Sequence, residues 1–168
     1  SGLREIWRNR APALLSCAIA MGFKVGIVGA TGAVGMTMIR VLEERGFPVD
    51  ELRLFATDRV AGRTLPFHGV PIAVRAARPD AYRGLDLVLL SAGSDVALEE
   101  APRAVAARAL AIDNSNAFRM DATVPLVVPE VNARRIREHR GIVANPNCST
   151  AQLVCVLAPL HREARLER

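Results

Sequence analysis

Short apolar runs recur along the chain, separated by polar or glycine-rich stretches, and several are followed by segments with helical spacing. Phe23-Lys24-Val25-Gly26-Ile27-Val28 reads as a first strand. After a glycine-rich turn, apolar residues at Val34, Met38, Val41 and Leu42 mark a helix face, and Gly46 supplies its C-cap. Leu52 to Thr57 reads as a second strand. Residues 64–76 hold two short apolar pieces around His68-Gly69, the pattern of a hairpin. Leu85 to Leu90 is nearly all apolar, as expected for a strand buried on both faces. Leu110-Ala111-Ile112, Leu126-Val127-Val128 and Ile142-Val143-Ala144 add three more strands.

Helical spacing predicts helices between these runs. One extends from Asp95 to Ala107, with Pro102 in an early turn or at a kink, and a short basic one runs from Asn132 to His139. A third spans Ala151 to Leu160, capped by Ser149 or Thr150, with Cys155 on its apolar, core-facing side. Strands alternating with helices predict an α/β fold built on a doubly wound parallel sheet. Ligands of such sheets bind at the carboxyl ends of the strands. The Gly29–Gly35 turn, Thr57, Ser91 to Gly93, Asn114 and Cys148 all fall at those ends.

The chain has 168 residues, 51% of them hydrophobic, enough for a real core and one domain, with part of a second. A net charge of +5 invites a nucleic-acid reading. The basic residues are scattered and aromatics amount to only 4%, so the excess describes a solvated surface rather than a phosphate-binding groove. Three cysteines without metal spacing argue for a reducing compartment, and hence the cytoplasm, and no metal is expected. Residues 1–20 imitate a secretory signal, with arginines followed by small apolar residues. Glu5 among the arginines argues against that, and the segment is expected to be extraneous or disordered, with Met21 as the natural start. No run reaches the ~20 apolar residues needed to cross a bilayer, so no membrane partner is expected.

The candidate chemistry lies in two places. Gly29-Ala30-Thr31-Gly32-Ala33-Val34-Gly35 follows a strand and opens a helix. Glycines there let backbone approach a pyrophosphate, and the helix N-terminus offers N–H donors, so a Rossmann-like dinucleotide site is predicted. At the end of the second strand, Thr57 and Arg59 suit the 2′-phosphate of NADP, whereas Asp58 suits the free ribose hydroxyl of NAD; the balance favours NADP. Ser91-Ala92-Gly93 are small residues where a cofactor backbone would pass.

The second place is Asn145-Pro146-Asn147-Cys148-Ser149-Thr150. A cysteine between a strand and a helix N-terminus is either a small buried hydrophobe or a nucleophile favoured as thiolate by the helix dipole. Beside a nicotinamide, a thiolate attacks an aldehyde, hydride leaves for the cofactor, and a thioester remains. Thiol hydrolysis instead needs a histidine base, and none is evident. His161 lies about 20 Å along the predicted helix, while His68 and His139 belong to other elements. Arg119, after Asn-Ser-Asn-Ala-Phe, is a candidate anion clamp.

Several strings resemble the aspartate-semialdehyde dehydrogenase family. They are Met21 to Val25 with Val28 to Gly35, Leu90-Ser91-Ala92-Gly93-Ser94, Val124-Pro125-Leu126-Val127-Val128-Pro129-Glu130-Val131-Asn132, and Asn145 to Thr150. The resemblance implies NADPH-dependent reductive dephosphorylation of aspartyl phosphate to aspartate semialdehyde and phosphate, feeding lysine, diaminopimelate, threonine, methionine and isoleucine synthesis. It implies Cys148 as the thioester nucleophile, with Asn147 supporting the oxyanion or the thiol geometry, and Arg119 with Asn114 for the substrate phosphate. Gly29, Thr31, Gly32, Ala33, Val34 and Gly35 would cradle the cofactor pyrophosphate. Thr57, Arg59, Val60 and Ala61 would surround the 2′-phosphate, with Val60 replacing a polar residue often found there. Ser91, Ala92 and Gly93 would line the nicotinamide half.

Family members are roughly twice this length, as two-domain enzymes are. The resemblance therefore implies an NADP-binding domain over residues 21–147 and, from 148 to 168, only the first helix of a second, catalytic and dimerisation domain of α+β type. The substrate-carboxylate arginine, the acid/base histidine and the interface of the expected homodimer or homotetramer would lie outside the chain. On this reading the chain alone turns over negligibly. N-acetyl-gamma-glutamyl-phosphate reductase shares the chemistry, but has glycine before its cysteine and tyrosine after it, where this chain has Asn147 and Ser149. A nucleotide-binding paralogue without thiol chemistry is the remaining rival.

Overall fold

The computed structural model describes residues 22–167, so the expectations for residues 1–20 lie outside the described residues. Strand β1 (Phe23–Val28) runs through the middle of a seven-stranded sheet whose other members are β2 (Val49–Ala56), β3 (Thr64–Phe67), β4 (Val70–Ala76), β5 (Leu87–Leu90), β6 (Leu110–Asp113) and β7 (Ile142–Ala144), in the order β3-β4-β2-β1-β5-β6-β7. Val25 and Ile27 are fully buried because β2 (Val49–Ala56) and β5 (Leu87–Leu90) flank β1 in parallel and layers cover both faces. β2 starts earlier than the apolar run suggests, at Val49, because Glu51 and Arg53 pair with β1 through backbone while their side chains bond each other (Nε to Oε1, 2.6 Å).

Helix α1 (Ala33–Glu44) follows β1 and packs Ile39, Met38 and Leu42 against one face of the sheet. Gly46 (φ +57°) lies one residue past the helix end at Arg45. β3 (Thr64–Phe67) and β4 (Val70–Ala76) form the predicted hairpin, and His68-Gly69, both at positive φ, make its two-residue turn. β3 is the one antiparallel member at the sheet edge; β4 pairs with β2 in parallel.

Helix α2 (Ser94–Ala106) covers the opposite face, its alanines Ala97, Ala101 and Ala104 letting it lie close to β5 and β6 (Leu110–Asp113). Pro102 sits well inside α2 rather than in an early turn; it is exposed, so the ring stands on the solvent side, where the lost hydrogen bond is tolerated. Beneath α2, Tyr82 is fully buried and donates to Glu100 Oε2 at 2.6 Å. Burial and that carboxylate push the Tyr82 phenol well above its ordinary range.

Leu126-Val127-Val128 does not form the expected strand. Only two backbone bonds tie it to β7 (Ile142–Ala144), Val127 N to Ala144 O and Ala144 N to Pro125 O. Prolines at 125 and 129 bracket the segment and stop the ladder, and Pro129 instead opens helix α3 (Pro129–Asn132). The basic helix expected over Asn132–His139 is likewise a 3-10 segment, Ala133–Glu138, appended to α3. The chain then enters β7 and helix α4 (Cys148–Ala164). From β1 the chain winds outward through β2 and β4, then returns to β5 and winds the other way. The switch point lies between the carboxyl ends of β1 and β5, the crevice where such sheets bind ligands. No described helix is long and apolar enough to cross a membrane.

Candidate active site

Two features stand at the carboxyl ends of the strands, one at this crevice and one beyond β7. The first is the turn from β1 to α1. Gly29 (φ +80°) reverses the chain, and its N–H bonds Phe55 O at 2.9 Å. A side chain at Gly35 would place its Cβ 2.2 Å from Gly29 O, so only glycine lets the helix sit this close to the turn. Gly32 caps α1 without any side-chain hydrogen bond, and the first turn holds no acidic residue. The N–H groups of Ala33, Val34 and Gly35 therefore point from a positive helix end without an intrahelical partner. That is a ready seat for an anion such as a diphosphate.

A groove of about 290 Å³ continues from this turn past Thr31, Ala92, Thr57 and Asp58 to Ala76 and Ala77 at the end of β4. Ser91 donates its hydroxyl to Val28 O at 2.9 Å, locking β5 to the glycine turn, so its role here is structural as well as positional. Ser91, Ala92 and Gly93 lie where the sequence puts them, and Gly93 (φ +92°) caps α2. Thr57 is exposed and precedes the 3-10 turn Asp58–Val60; Arg59 and Ala61 are exposed, and Val60 is half-buried. Asp58 bonds Arg78, a residue the sequence did not single out. The uncapped helix, the glycine contact and the groove together fit a dinucleotide.

The second feature is the start of α4. Cys148 is its first residue and is exposed. Neither Ser149 nor Thr150 caps the helix: Asn147 does, accepting from Ser149 N at 3.0 Å. The same Asn147 Oδ1 lies 4.0 Å from Cys148 Sγ, so one side chain both fixes the helix start and holds the thiol. Cys148 stands at a cavity of about 370 Å³ shared with Asn114, Asn145, Glu130 and Gln152. Cys155 lines the same cavity and is exposed, not core, because the described residues bury no part of α4.

Arg119 stitches the two strand ends beside this cavity, donating from Nε to Asn145 O (2.8 Å) and from a terminal nitrogen to Asn114 O (3.1 Å). Two of its five N–H groups are thus spent, leaving donors for an anion. Asp113, fully buried at the end of β6, accepts from Ser115 N and Oγ and fixes the loop that carries Asn114. Asn132 holds the opposite wall: its amide donates to Leu126 O (3.0 Å) and accepts from Val128 N (2.7 Å). The Val-Pro-Glu-Val-Asn string is thus a loop clamped by Asn132 that brings Glu130 to the cavity wall. Its distinctive residues were visible in the sequence, but the purpose was not. No histidine lines the cavity among the described residues, and His139 accepts from Gly141 N instead.

Comparison with known proteins agrees with this geometry. Residues 24–139 match the family model described as semialdehyde dehydrogenase, NAD binding domain. The chain is 48% identical over 151 residues to the aspartate-semialdehyde dehydrogenase of Aquifex aeolicus, covering 88% of this chain and 44% of that protein. It superposes on aspartate semialdehyde dehydrogenase II of Vibrio cholerae, solved with ASA, with a TM-score of 0.85 and 45% identity, covering 88% of this chain and 49% of the other. On the Candida albicans enzyme, solved with NADP, the TM-score is 0.70 at 28% identity, covering 87% of this chain and 48% of the other. The chain spans a little under half the length of these relatives. The match runs from β1 past the glycine turn and through β6, over more than half of the chain, and the chain belongs to the semialdehyde dehydrogenase NAD-binding domain family.

Proposed function

We propose that this chain is the NADP-binding part of a cytoplasmic aspartate-semialdehyde dehydrogenase and carries its nucleophile, Cys148. The observation that carries the reading is an exposed cysteine at a helix start, held by Asn147 at the lip of a cavity, on the same sheet edge as an uncapped glycine-turn helix. When bound, the nicotinamide supplies or accepts the hydride.

In the reductive direction, the Cys148 sulfur attacks the acyl carbon of L-aspartyl-4-phosphate, the carbon–oxygen bond to phosphate breaks, and a Cys148 thioester and free phosphate result. Cys148 would hold the acyl carbon as the thioester for reduction, and its sulfur would take back the electron pair as aspartate semialdehyde leaves. Asn147 holds the thiol and steadies charge on the acyl oxygen; Arg119, with Asn114, grips the departing phosphate through its spare donors. Ala33 to Gly35 seat the cofactor diphosphate, Thr57 and Arg59 the 2′-phosphate, and Ser91 to Gly93 the nicotinamide half.

We read α4 as the first helix of a second domain. None of its residues is buried, and Leu153, Val156, Leu157 and Leu160 form an exposed stripe along it. A homodimer or homotetramer, and a role in lysine, diaminopimelate, threonine, methionine and isoleucine synthesis, belong to the same reading. Incubation with L-aspartyl-4-phosphate tests it. Mass spectrometry is expected to find one hydroxylamine-sensitive acyl adduct, mapped to Cys148, with an equivalent of phosphate released. NADP binding without any adduct would favour the non-catalytic nucleotide-binding alternative. Steady-state, phosphate-dependent NADP reduction by the chain alone is expected to be negligible, and appreciable turnover would remove the need for a second domain.

A further inference from the structure

The tip of β2 carries opposite signs side by side. In dinucleotide folds an acidic side chain here accepts from the free ribose hydroxyl and repels a 2′-phosphate, while arginine does the reverse. Asp58 and Arg59 are adjacent, so the sequence alone points both ways. The sheet register resolves the conflict. β2 and β4 pair in parallel through Ala56 and Ala76, and Asp58 and Arg78 each lie two residues further on, which brings them together across the groove. Arg78 donates to Asp58 Oδ1 at 2.9 Å. Asp58 lines the groove beside Thr57, Ala76 and Ala77.

We propose that Arg78 sets the preference for the 2′-phosphorylated dinucleotide by neutralising Asp58 at the mouth of the cofactor groove. The proposal rests on the NADP reading above. Holding the strands together is a poor explanation for the pair: β2 and β4 are already joined by their backbones, and both side chains are largely exposed (65% and 74%), where an ion pair adds little stability. At the ligand the consequence is larger. With Asp58 matched by Arg78, the charge of Arg59, exposed beside it in the 3-10 turn, is left for a phosphate to meet. Without Arg78, Asp58 faces the phosphate unpaired and becomes an acceptor for a free hydroxyl.

The test is calorimetric titration of the protein with NADP and with NAD, for the wild type, R78A, D58N and D58N/R78A. NAD shares every other contact, so the affinity ratio of the two nucleotides isolates the effect, and NAD binding no weaker than that of the wild type reports an intact groove. R78A is expected to lower the NADP-over-NAD ratio about tenfold, the scale of one unpaired charge near a phosphate in a solvated site. D58N/R78A is expected to restore it to within about threefold of wild type, because the charge that needed neutralising is gone. An unchanged ratio in R78A overturns the proposal, and so does a double variant no better than R78A. A wild type that prefers NAD overturns the NADP reading itself, a result visible before any variant is measured.

Discussion

Two helices open onto the same sheet edge, and they begin in opposite ways. α1 starts uncapped on a glycine turn, with Gly35 and Ile39 buried and its body pressed against the sheet. α4 starts under a side-chain cap, Asn147, and buries none of its residues. An open helix start left in solvent wastes three N–H groups, so an uncapped start rigidly fixed at a switch point is a seat kept for a ligand's charge. A capped start instead frees the first residue from closing the helix, and here that residue is a cysteine. The firmly packed helix offers an open seat for an anion; the loosely packed one carries Cys148 at its start and an exposed apolar stripe along its length.

The comparison can be broken most severely at the sulfur. C148S is expected to reduce acyl-adduct formation by more than about a thousandfold while leaving NADP affinity within about twofold, measured by adduct mass and calorimetry. Equal losses of both would mean that the two helix starts are not separate devices. Next in size is G35A. Its Cβ must displace the backbone of Gly29 and Ala30, at an expected loss of about 1–3 kcal/mol in denaturant unfolding and at least about tenfold in NADP affinity. No comparable sensitivity is expected anywhere in α4.

Y82F tests the firm half from below. Removing the hydroxyl leaves one oxygen of buried Glu100 without that donor, an expected loss of about 1–3 kcal/mol. The pH dependence has a definite sign. The folded phenol keeps its proton past its ordinary value of 10.0, while the unfolded chain releases it there, so stability falls as pH rises above 10.0. Y82F should show a shallower alkaline decline. N147A comes last: loss of a cap costs about 0.5–2 kcal/mol of helix stability. Because α4 buries nothing, this should appear as faster amide exchange in α4 with global unfolding nearly unchanged.

How much of this was legible beforehand depends on the range of the interactions. β1, β5, β6, β7 and the His68-Gly69 hairpin announced themselves through local apolar runs and turn residues. Leu126–Val128 misled because an apolar run is counted without its neighbours, and prolines on both sides left it only two backbone bonds. Cys155 misled differently: the apolar stripe of its helix is real, but a stripe says nothing of what packs on it. Cys148 and the glycine turn were legible because their chemistry is written in adjacent residues. The Asn132 clamp, the Arg119 stitch and the Asp58–Arg78 pair were not, since each depends on register between segments. The capping asparagine was passed over because three residues in a row could each have capped, and only backbone geometry at Asn147 decides among them.

The most direct measurement uses the two cysteines of α4 against each other. Both are exposed and both line one cavity, so access is matched and position along the helix is the difference. With iodoacetamide near neutral pH and peptide mapping over time, Cys148 should alkylate about tenfold faster than Cys155, because the helix start stabilises charge building on sulfur. Bound NADP should change the rate at Cys148 and not at Cys155. Equal rates for the two, or a Cys148 that does not react, would contradict the account.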